Sequence, residues 1–573
     1  MISDIQRSAL LFQMQQFGFE PYQIHQAWAQ DPNAATVDQL LAIIEAQQKA
    51  ADASSAALPQ YPYNEPVKSG EDEQIQQAIQ ASLQTHQERE QLQSNVEIDL
   101  QKAIETSLKQ TSDDPNPLNR KKKHGVPVGL KNVGNTCYLS SILQTLYYVP
   151  CVRKILIEYN PPSGYQDHKN STAIKVVLEL QRLFAYLTLS ERSYFVPTDL
   201  VAALVAASNV YSGFEALTPH VQHDATEFFI RLLDLLEIAL GHEGVTKCFK
   251  GSSVDLVECT SPTNPQVKLS KKSEPFVFIT VPLTSDDLES VLDSRIDPLP
   301  LESYDVPPGH SHPTLRSLVD HYGESAVCMA IQRYDYNRET QSVLKKSDHL
   351  RFPFKLMGDR WKFCNLELID SIHHKQNMLK SELELLRGQE QALGHFGESQ
   401  APLPSILRDA LNFLRNSSQF VHSIDTFSSE CDRLLPYVTA VEEELDNRRK
   451  KVSQAEQELS LLYKPVEGEP LFLFSVLIHQ GTSLSGHYWN YVASPVAREE
   501  SSGAPIFEYF KFNDQHVSLA DVDSLMSESF GGSTSHGSAY FLVYIKEEAL
   551  DHFLINTTFH CTFKMKYSKI MNF

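Results

Sequence analysis

The chain has 573 residues and carries 50 Lys and Arg against 72 Asp and Glu, a formal net charge of −22 at pH 7. An acidic surface argues against nucleic acid or an anionic membrane as the main partner and favours a basic protein partner. No run approaches about 18 consecutive apolar residues, and the first residues lack the layout of a signal peptide. We therefore expect a cytoplasmic or nuclear protein of about two to four structural units.

The cysteines are scattered, and no two of them form a C-x-x-C pair. They stand at positions 137, 151, 248, 259, 328, 364, 431 and 561. This spacing excludes a zinc ribbon built from such pairs, and a reducing compartment makes disulfides an unfavoured outcome. We expect no metal and no cofactor.

Residues 1–50 predict a small helical module. The segments "ALLFQMQQFGF", "PYQIHQAWAQ" and "TVDQLLAIIEAQQ" each have helical character, with Thr36 as an N-cap of the third. A core this small is typical of a binding module. Residues 51–70, rich in Ala, Ser and Pro, are predicted to be a linker.

A repeat follows in residues 71–110, in "EDEQIQQAIQASLQ" and "VEIDLQKAIETSLK". In each copy an apolar residue, an Ala and a Ser share one helical stripe; they are Ile75, Ala78 and Ser82, and Leu100, Ala103 and Ser107. A small Ala lets a partner approach closely, and the acidic lead-in favours a basic one. The alternative is a pair of solvated helices without a partner, but two copies in register favour binding. Residues 111–127 are predicted to be a second linker.

Residues 365–465 carry heptad spacing, which predicts a projecting helical hairpin of coiled-coil character. The heptad positions are Ile372, Leu379, Leu386 and Leu393, then Val438, Leu445, Val452 and Leu459. Between the two heptad runs, "PLPSILRDALNFLR" places an apolar face on a helix, made of Ile406, Leu407, Ala410, Leu411 and Leu414. That face either forms a homo-oligomer or folds back onto its own hairpin, and the sequence leaves both open.

Three separated segments contain residues suited to thiol chemistry. Cys137 follows a Gly/Asn-rich turn and begins the helix-periodic run "CYLSSILQTLYYV", where the positive end of the helix favours a thiolate. His487 stands at the start of a strand in "SGHYWNYV", and Asn513 and Asp514 end the strand "YFKFND". A Cys, then a His, then an Asn or Asp is an order known in cysteine hydrolases. A lone cysteine packed in the core is the alternative reading.

Five boxes together resemble the ubiquitin-specific proteases: "GLKNVGNTCYLSSILQ", "VQHDATEFFIRLLDLL", "SVLIHQGTSLSGHYWNYV", "FKFNDQHVS" and "SAYFLVYI". They occur in the family's order across residues 128–546. The resemblance implies an α+β, papain-like fold with thumb, palm and fingers, preceded by ubiquitin-associated and ubiquitin-interacting helices. The order of these units and the insertion at 365–465 is similar to the subgroup of ubiquitin carboxyl-terminal hydrolases 25 and 28, in which the insertion mediates oligomerisation.

The resemblance also implies the role of each site residue. Cys137 is the nucleophile, His487 the general base and Asn513 the residue that orients it. Asn132 and the backbone N–H of Cys137 hold the oxyanion, and Asp514 is an auxiliary polar group.

The channel that receives the basic, glycine-ended tail of ubiquitin is expected along Gln222, Asp224, Glu227 and Tyr488, because carboxylates suit arginines. The alternative for the segment around Asp224 is an ordinary amphipathic helix with a capping acid.

The implied partners are ubiquitin, polyubiquitin and ubiquitinated proteins, and the implied reaction is isopeptide hydrolysis after the last glycine of ubiquitin. A non-catalytic ubiquitin-binding scaffold is the rival function. The zinc-binding Cys pairs of many relatives are absent, so the fingers are expected to fold without metal. Residues 547–573 match nothing in the family, which suggests a tail of a truncated or alternatively spliced form.

Overall fold

The computed structural model describes residues 10, 14, 21–31, 39–40, 43–44, 120–211, 223–241, 244–261, 267–301, 304, 306, 310–337, 342–394, 403–417, 424–481, 486–501, 503–532, 535 and 537–554. The six repeat residues Ile75, Ala78, Ser82, Leu100, Ala103 and Ser107 lie outside this range, as do Thr36 and Gln222. The chain divides into two compact units, Met1–Leu356 with Glu469–Phe573, and Met357–Gly468. None of the helices in the described residues is both long and apolar enough to cross a membrane.

Near the N-terminus, helix α1 (Pro21–Gln30) starts with proline, whose fixed φ suits the first helical position. Ile24, Ala27 and Trp28 are buried on one side of it, at the spacing of one helical face. They belong to an apolar cluster completed by Leu10, Met14, Leu40 and Ile44. This segment therefore has an apolar core of its own.

The first unit continues with five helices: α2 (Cys137–Tyr148), α3 (Pro150–Glu158), α4 (Ser171–Leu189), α5 (Thr198–Ser208) and α6 (Ala225–Leu240). Helix α2 is buried all round, from Cys137 to Tyr147. A helix with no exposed face belongs inside a core, and α2 accordingly lies between α6 and the strand that carries His487.

The strands of the first unit are β1 (Gly129–Leu130), β2 (Tyr194–Phe195), β3 (Gly251–Cys259), β4 (Val267–Phe276), β5 (Ile279–Pro282), β6 (Leu299–Pro300), β7 (Thr314–His321), β8 (Ala326–Gln332), β9 (Tyr334–Asn337), β10 (Ser342–Lys345), β11 (Lys355–Met357), β12 (Pro470–Gly481), β13 (Gly486–Arg498), β14 (Pro505–Asn513), β15 (His516–Ala520) and β16 (Ser538–Lys546). Three short helices accompany them, α7 (Leu288–Ser294), α11 (Val522–Ser529) and α12 (Glu547–Leu554), where the numbers α8 to α10 belong to the second unit.

The large sheet has the order β15-β14-β13-β12-β16-β8-β5, with β11 added to β12. All pairs along this order are antiparallel except β5 with β8. The central strand β16 is buried from Ser538 to Ile545, so both of its faces are covered. A second sheet has the order β4-β3-β7-β6. Mostly antiparallel sheets with helices grouped apart confirm the predicted α+β class.

The second unit contains three helices, α8 (Leu366–Gly394), α9 (Leu403–Ser417) and α10 (Ile424–Leu461). Ion pairs join Lys375 to Glu458 and Arg449 to Glu390, so α8 and α10 run antiparallel. The heptad residues Ile372, Leu379, Leu386, Val438 and Leu445 are buried. Burial of one residue every seven is the seam expected between two such helices.

Helix α9 packs on α10, and Arg408 pairs with Glu442 between them. Ile406 and Leu411 are half-buried, whereas Leu407 and Leu414 stay exposed. The helix thus folds back onto its hairpin, which is one of the two alternatives from the sequence, and Leu407 and Leu414 remain exposed on it.

One expectation needs correction. Cys151 and Cys248 form a disulfide between the first turn of α3 and the segment before β3, although free thiols were expected throughout. The two residues are 97 positions apart, and only the packing of α3 brings them together. In the segment at 547–573, expected to be a tail, the first residues form α12, which buries Ala549 and Leu550.

Candidate active site

The loop before α2 is organised by the side chain of Asn132. Its Oδ1 accepts hydrogen bonds from the backbone N–H of Gly134 at 3.0 Å and from the backbone N–H and hydroxyl of Thr136, both at 3.1 Å. Gly134 and Asn135 have positive φ, of 114° and 50°, which glycine and asparagine tolerate best. The loop therefore ends with Cys137 as the first residue of α2.

The turn between β14 and β15 holds this loop in place. The backbone N–H of Leu130 donates to the carbonyl of Asp514 at 3.0 Å, and the amide of Asn132 donates to the carboxylate of Asp514 at 3.2 Å. A Cβ on Gly129 would lie 2.5 Å from the carbonyl oxygen of Gln515, so only glycine allows this approach. The cysteine loop and the end of β14 are thus brought together.

The thiol of Cys137 is buried, with 3% of the residue exposed. Burial raises the pKa of this thiol to about 12, and the carboxylate of Asp514 raises it further. The backbone N–H groups of Tyr488, Tyr138 and Cys137 itself donate to the sulfur and lower the pKa, but by less. The expected thiolate is therefore not the resting state, because desolvation of the anion outweighs the helix terminus.

His487 is oriented by Asn513. The Nε2 atom of His487 lies 2.6 Å from Oδ1 of Asn513. An amide oxygen only accepts hydrogen bonds, so Nε2 carries a proton and Nδ1 is the basic nitrogen. The next residue, Tyr488, donates its backbone N–H to the sulfur of Cys137. This contact brings the start of β13 to the thiol.

Asp514 is 8% exposed and has a φ of 51° in the two-residue turn between β14 and β15. Burial raises the pKa of its carboxyl group, and His487, Asn132 and His516 act in the opposite direction. Its Oδ2 accepts the amide of Asn132, while Oδ1 has no hydrogen-bond partner among the described residues. This acid supports the cysteine loop and adds negative charge beside the thiol.

Asp224 caps helix α6. Its Oδ1 accepts the backbone N–H groups of Thr226 at 2.8 Å and Glu227 at 3.0 Å, and its Oδ2 accepts the hydroxyl of Tyr540. In the structure this carboxylate is therefore a capping acid, as in the alternative interpretation of the segment around Asp224. Glu227, in the first turn of α6, keeps its side chain 25% exposed.

The ring of Tyr488 is buried, with 4% of the residue exposed, and lies against His479 with ring centroids 4.3 Å apart. The backbone N–H of Ala225 donates to the hydroxyl of Tyr488. Tyr488 therefore joins the start of α6 to the strand of His487. Gln222, the remaining expected channel residue, lies outside the described residues.

A buried polar cluster next to Tyr488 escaped the sequence analysis. Tyr334 and His479 share a hydrogen bond of 2.9 Å, and the amine of Lys345 donates to the carbonyl of His479 at 3.1 Å. Burial lowers the pKa of His479, and burial together with Arg333 lowers the pKa of Lys345 to about 7. A histidine in the apolar run "LFLFSVLIH" was the one available signal, since β12 pairs it with Tyr488.

Asn490 fixes helix α2 on β13, and it too was missed. Its buried amide donates to the carbonyl of Ser141 and to the hydroxyl of Thr145, both at 3.1 Å. Thr145 in turn bonds Ser475 of β12 at 2.9 Å. These polar contacts set the position of the helix that begins at Cys137 relative to the strand that begins near His487.

Within the part of the chain that the structure describes, no cluster of three or more His, Cys, Asp or Glu is arranged to hold a metal ion. Of the two cysteines near the second sheet, Cys248 is in the disulfide and Cys259 is buried.

Comparison with known proteins finds matches to a family model and to a motif model. The family model described as Ubiquitin carboxyl-terminal hydrolase matches residues 128–544, and the model described as Ubiquitin interaction motif matches residues 71–86 and 97–111. Ubiquitin carboxyl-terminal hydrolase 28 of Mus musculus is 26% identical, covering 76% of this chain and 49% of that protein.

More distant matches include ubiquitin carboxyl-terminal hydrolase 47 of Xenopus tropicalis, 22% identical over 72% of this chain and 26% of that protein. Ubiquitin carboxyl-terminal hydrolase 7 of Caenorhabditis elegans is 23% identical over 76% of this chain and 28% of that protein. The chain spans about half the length, or less, of these curated relatives.

Proposed function

Because this chain belongs to the ubiquitin carboxyl-terminal hydrolase family, we propose that it is a cysteine-type deubiquitinase that hydrolyses the isopeptide bond after the C-terminal glycine of ubiquitin. One observation carries the proposal: the sulfur of Cys137 accepts the backbone N–H of Tyr488, directly after His487, and His487 is held at 2.6 Å by Asn513. A thiol, an oriented imidazole and its orienting amide are the parts that nucleophilic thiol catalysis requires.

The first chemical step couples proton transfer to attack. Because the resting thiol has a pKa of about 12, its proton moves to Nδ1 of His487 as the sulfur attacks the carbonyl carbon of the last glycine. His487 then gives this proton to the leaving lysine amine, and a thioester remains. In the second step, His487 takes a proton from water as the oxygen attacks the thioester, and it returns this proton to the sulfur of Cys137, which leaves as a thiol while the carboxylate of the last glycine is released.

The developing oxyanion needs N–H donors fixed in advance. The backbone N–H of Cys137 and the side-chain amide of Asn132 are the proposed donors. The Nδ2 atom of Asn132 carries two hydrogens, and Asp514 accepts one of them at 3.2 Å. We assign the second hydrogen to the oxyanion, so that Asp514 acts by holding the donor in place.

Ubiquitin recognition is proposed at two levels. In the site, Glu227 and Asp224, with Gln222 and Tyr488, line the channel for the arginine-containing tail of ubiquitin, where the carboxylate of Glu227 is half-buried and lies 4.0 Å from Arg231. Ahead of the site, the two ubiquitin interaction motifs bind further ubiquitins through the stripes of Ile75, Ala78 and Ser82 and of Leu100, Ala103 and Ser107. Linked weak sites raise the local concentration of a chain, so polyubiquitin and ubiquitinated proteins are the favoured substrates.

The papain-like division of the fold is part of the same proposal. Helices α2 to α6 correspond to the thumb, the large sheet to the palm, and the sheet β4-β3-β7-β6 to the fingers. Residues 128–546 form the catalytic domain, with residues 365–465 inserted, residues 1–50 as a ubiquitin-associated-like module and 51–70 and 111–127 as linkers. We place the protein in the cytoplasm, the nucleus or both.

Self-association through the insertion is proposed for the apolar surface of α9. Leu414 is 41% exposed and Phe413 is 71% exposed, and coiled-coil-like pairing with a second copy would bury both. Light scattering of the full chain tests this: the double variant Leu407→Asp/Leu414→Asp should halve the mass or reduce it further. An equal mass for the variant and the wild type would exclude this surface.

The competing function is a scaffold that binds ubiquitin without cleaving it. Incubation of wild type and Cys137→Ala with a panel of di-ubiquitins separates the two. Cleavage by the wild type alone supports the deubiquitinase. Binding of di-ubiquitin without cleavage by either protein supports the scaffold.

A further inference from the structure

Trp489, two residues after His487 on β13, is placed to act on the histidine. We propose that Trp489, held by Glu528 of α11, is a positioning residue that stabilises the imidazolium form of His487 during catalysis. The inference rests on the proposed deubiquitinase function and adds a residue that stabilises the protonated form of its general base. Neither residue was singled out by the sequence motifs.

The rings of Trp489 and His487 are stacked, with an interplanar angle of 26° and centroids 6.0 Å apart. Residues i and i+2 of a strand share one face, so the pairing follows from the strand itself. Trp489 is 7% exposed. A Cβ on Gly537 would lie 2.8 Å from the indole ring, so this glycine leaves the space that the tryptophan occupies.

The indole is anchored at its polar edge. Its Nε1–H donates to a carboxylate oxygen of Glu528 at 3.0 Å. The amine of Lys511 donates to both oxygens of the same carboxylate at 2.7 Å, and lies 5.4 Å from the centre of the indole ring. Glu528 therefore fixes the tilt of the ring and also neutralises a cation close to it.

The stacked indole can supply electrostatic stabilisation that the neutral Asn513 does not give to the imidazolium. Asn513 orients His487 but is neutral, so it offers no charge to the imidazolium that forms when the thiol loses its proton. The face of an indole carries negative potential and attracts a cation within about 6 Å. A carboxylate on the indole N–H increases that potential. Without Glu528, the Lys511 charge would act through the same ring and oppose the imidazolium.

Several other groups face His487 and must stay constant in any test. They are Asn513 of β14, Asp514 of the following turn and His479 of β12. None of them is changed in the variants below, so their effect on the titration of His487 is common to all.

The test uses the full chain with Trp489→Leu, Trp489→Phe, Glu528→Gln and Lys511→Gln/Glu528→Gln, and Trp28→Phe in the N-terminal cluster as the matched control. Steady-state cleavage of a fluorogenic ubiquitin C-terminal amide should show kcat lowered about tenfold in Trp489→Leu and about threefold in Trp489→Phe, with KM unchanged. The acid limb of the kcat/KM profile should move to lower pH, because the imidazolium has lost stabilisation.

Variants that remove the charges of Glu528 and Lys511 test the proposal more sharply. Glu528→Gln should lower kcat about fivefold, and adding Lys511→Gln should recover at least half of that loss. If Trp489 only packs, the Trp489 and Glu528 variants should lower Tm by similar amounts and leave the pH profile of kcat/KM unchanged. That outcome, or no recovery in the double variant, overturns the proposal.

A readout without turnover separates this inference from the proposed function. Titration of the His487 ring protons by NMR should show its midpoint at lower pH in Trp489→Leu than in wild type or Trp28→Phe. If the midpoint moves but the wild type cleaves nothing, the deubiquitinase assignment fails and the stacking effect stands. If the wild type cleaves and the midpoint is unmoved, the stacking effect fails alone.

Discussion

The side-chain amide of Asn132 donates a hydrogen bond of 3.2 Å to the carboxylate of Asp514, 382 positions later in the chain. This contact joins the loop that presents Cys137 to the turn that follows Asn513. The carboxylate also raises the pKa of the Cys137 thiol. One acid thus holds a proposed oxyanion donor and adds to the burial that raises the pKa of the nucleophile.

Replacing Asp514 should separate these two effects. In Asp514→Ala the amide of Asn132 loses its acceptor, and kcat should fall about 10- to 100-fold. The pH midpoint for alkylation of Cys137 by iodoacetamide should also move down, because a nearby negative charge has gone. Asp514→Asn is the control: it removes the charge but keeps an acceptor, so the alkylation midpoint should move equally while kcat falls less. Equal kcat losses would contradict the holding role.

Asp234 in helix α6 provides a prediction on stability. Burial raises the pKa of this carboxyl group to about 7, Arg231 acts against the shift and Glu237 adds to it. One oxygen of the carboxylate has no hydrogen-bond partner among the described residues. The pKa of this carboxyl group is 3.8 in the unfolded chain and about 7 in the folded chain. Between these two pH values the unfolded chain has lost the proton while the folded chain keeps it.

The free energy of unfolding should therefore fall by about 1.4 kcal/mol per pH unit in that window and stay level above it. Asp234→Asn should remove this slope, so its gain in Tm over wild type should be largest at pH 8 and absent at pH 4. Thermal unfolding at several pH values measures it. Glu237→Gln is the control and should give a smaller gain; a Tm difference independent of pH would contradict the assignment.

Asn490 connects helix α2 to β13 by hydrogen bonds to Ser141 and Thr145. Asn490→Ala should lower the free energy of unfolding by about 1–3 kcal/mol, because two buried groups lose their donor. It should also lower kcat, since Cys137 begins the same helix. Denaturant unfolding and steady-state kinetics measure both effects. Asn209→Ala, at an exposed helix end, should change neither; a stability loss without any loss of kcat would show that Asn490 does not position the cysteine.

The disulfide between Cys151 and Cys248 closes a loop of 97 residues. A crosslink of this span stabilises a protein by about 2–5 kcal/mol in the loop-entropy account. Non-reducing peptide mapping should find the linked pair, and Cys151→Ser should lower Tm to the value of the reduced wild type. Cys364→Ser, at an exposed free thiol, should leave Tm unchanged. Recovery of both cysteines as free thiols without reductant would contradict the crosslink.

The α+β class and the residues proposed for chemistry were accessible from the sequence because each lies in a short, continuous segment. The residues of the turn "KNVGNTC" and of the strand start "SGHYW" are sufficient to predict the local conformation of each segment. Properties that depend on contacts between distant segments could not be predicted from the sequence. The raised pKa of Cys137 depends on burial by distant strands, and the capping role of Asp224 is completed by the hydroxyl of Tyr540, 316 positions away.

The polar groups behind the site were hidden for a similar reason. His479, Asn490 and Trp489 stand in strand segments whose apolar pattern predicts only a buried sheet. Their partners Tyr334, Lys345 and Glu528 lie on other elements, and no spacing in the sequence links them. The Cys151–Cys248 pair is missed on the same ground, since neither residue belongs to a recognisable cysteine pattern.

The central claim is that the sulfur of Cys137 is the nucleophile and that His487 takes its proton. Ubiquitin carrying an electrophile at its C-terminus tests this most directly, with the adduct located by mass spectrometry. We predict one adduct, on Cys137, that is absent in Cys137→Ser and forms about 100-fold more slowly in His487→Ala. An adduct on another cysteine, or an undiminished rate in His487→Ala, would contradict the account.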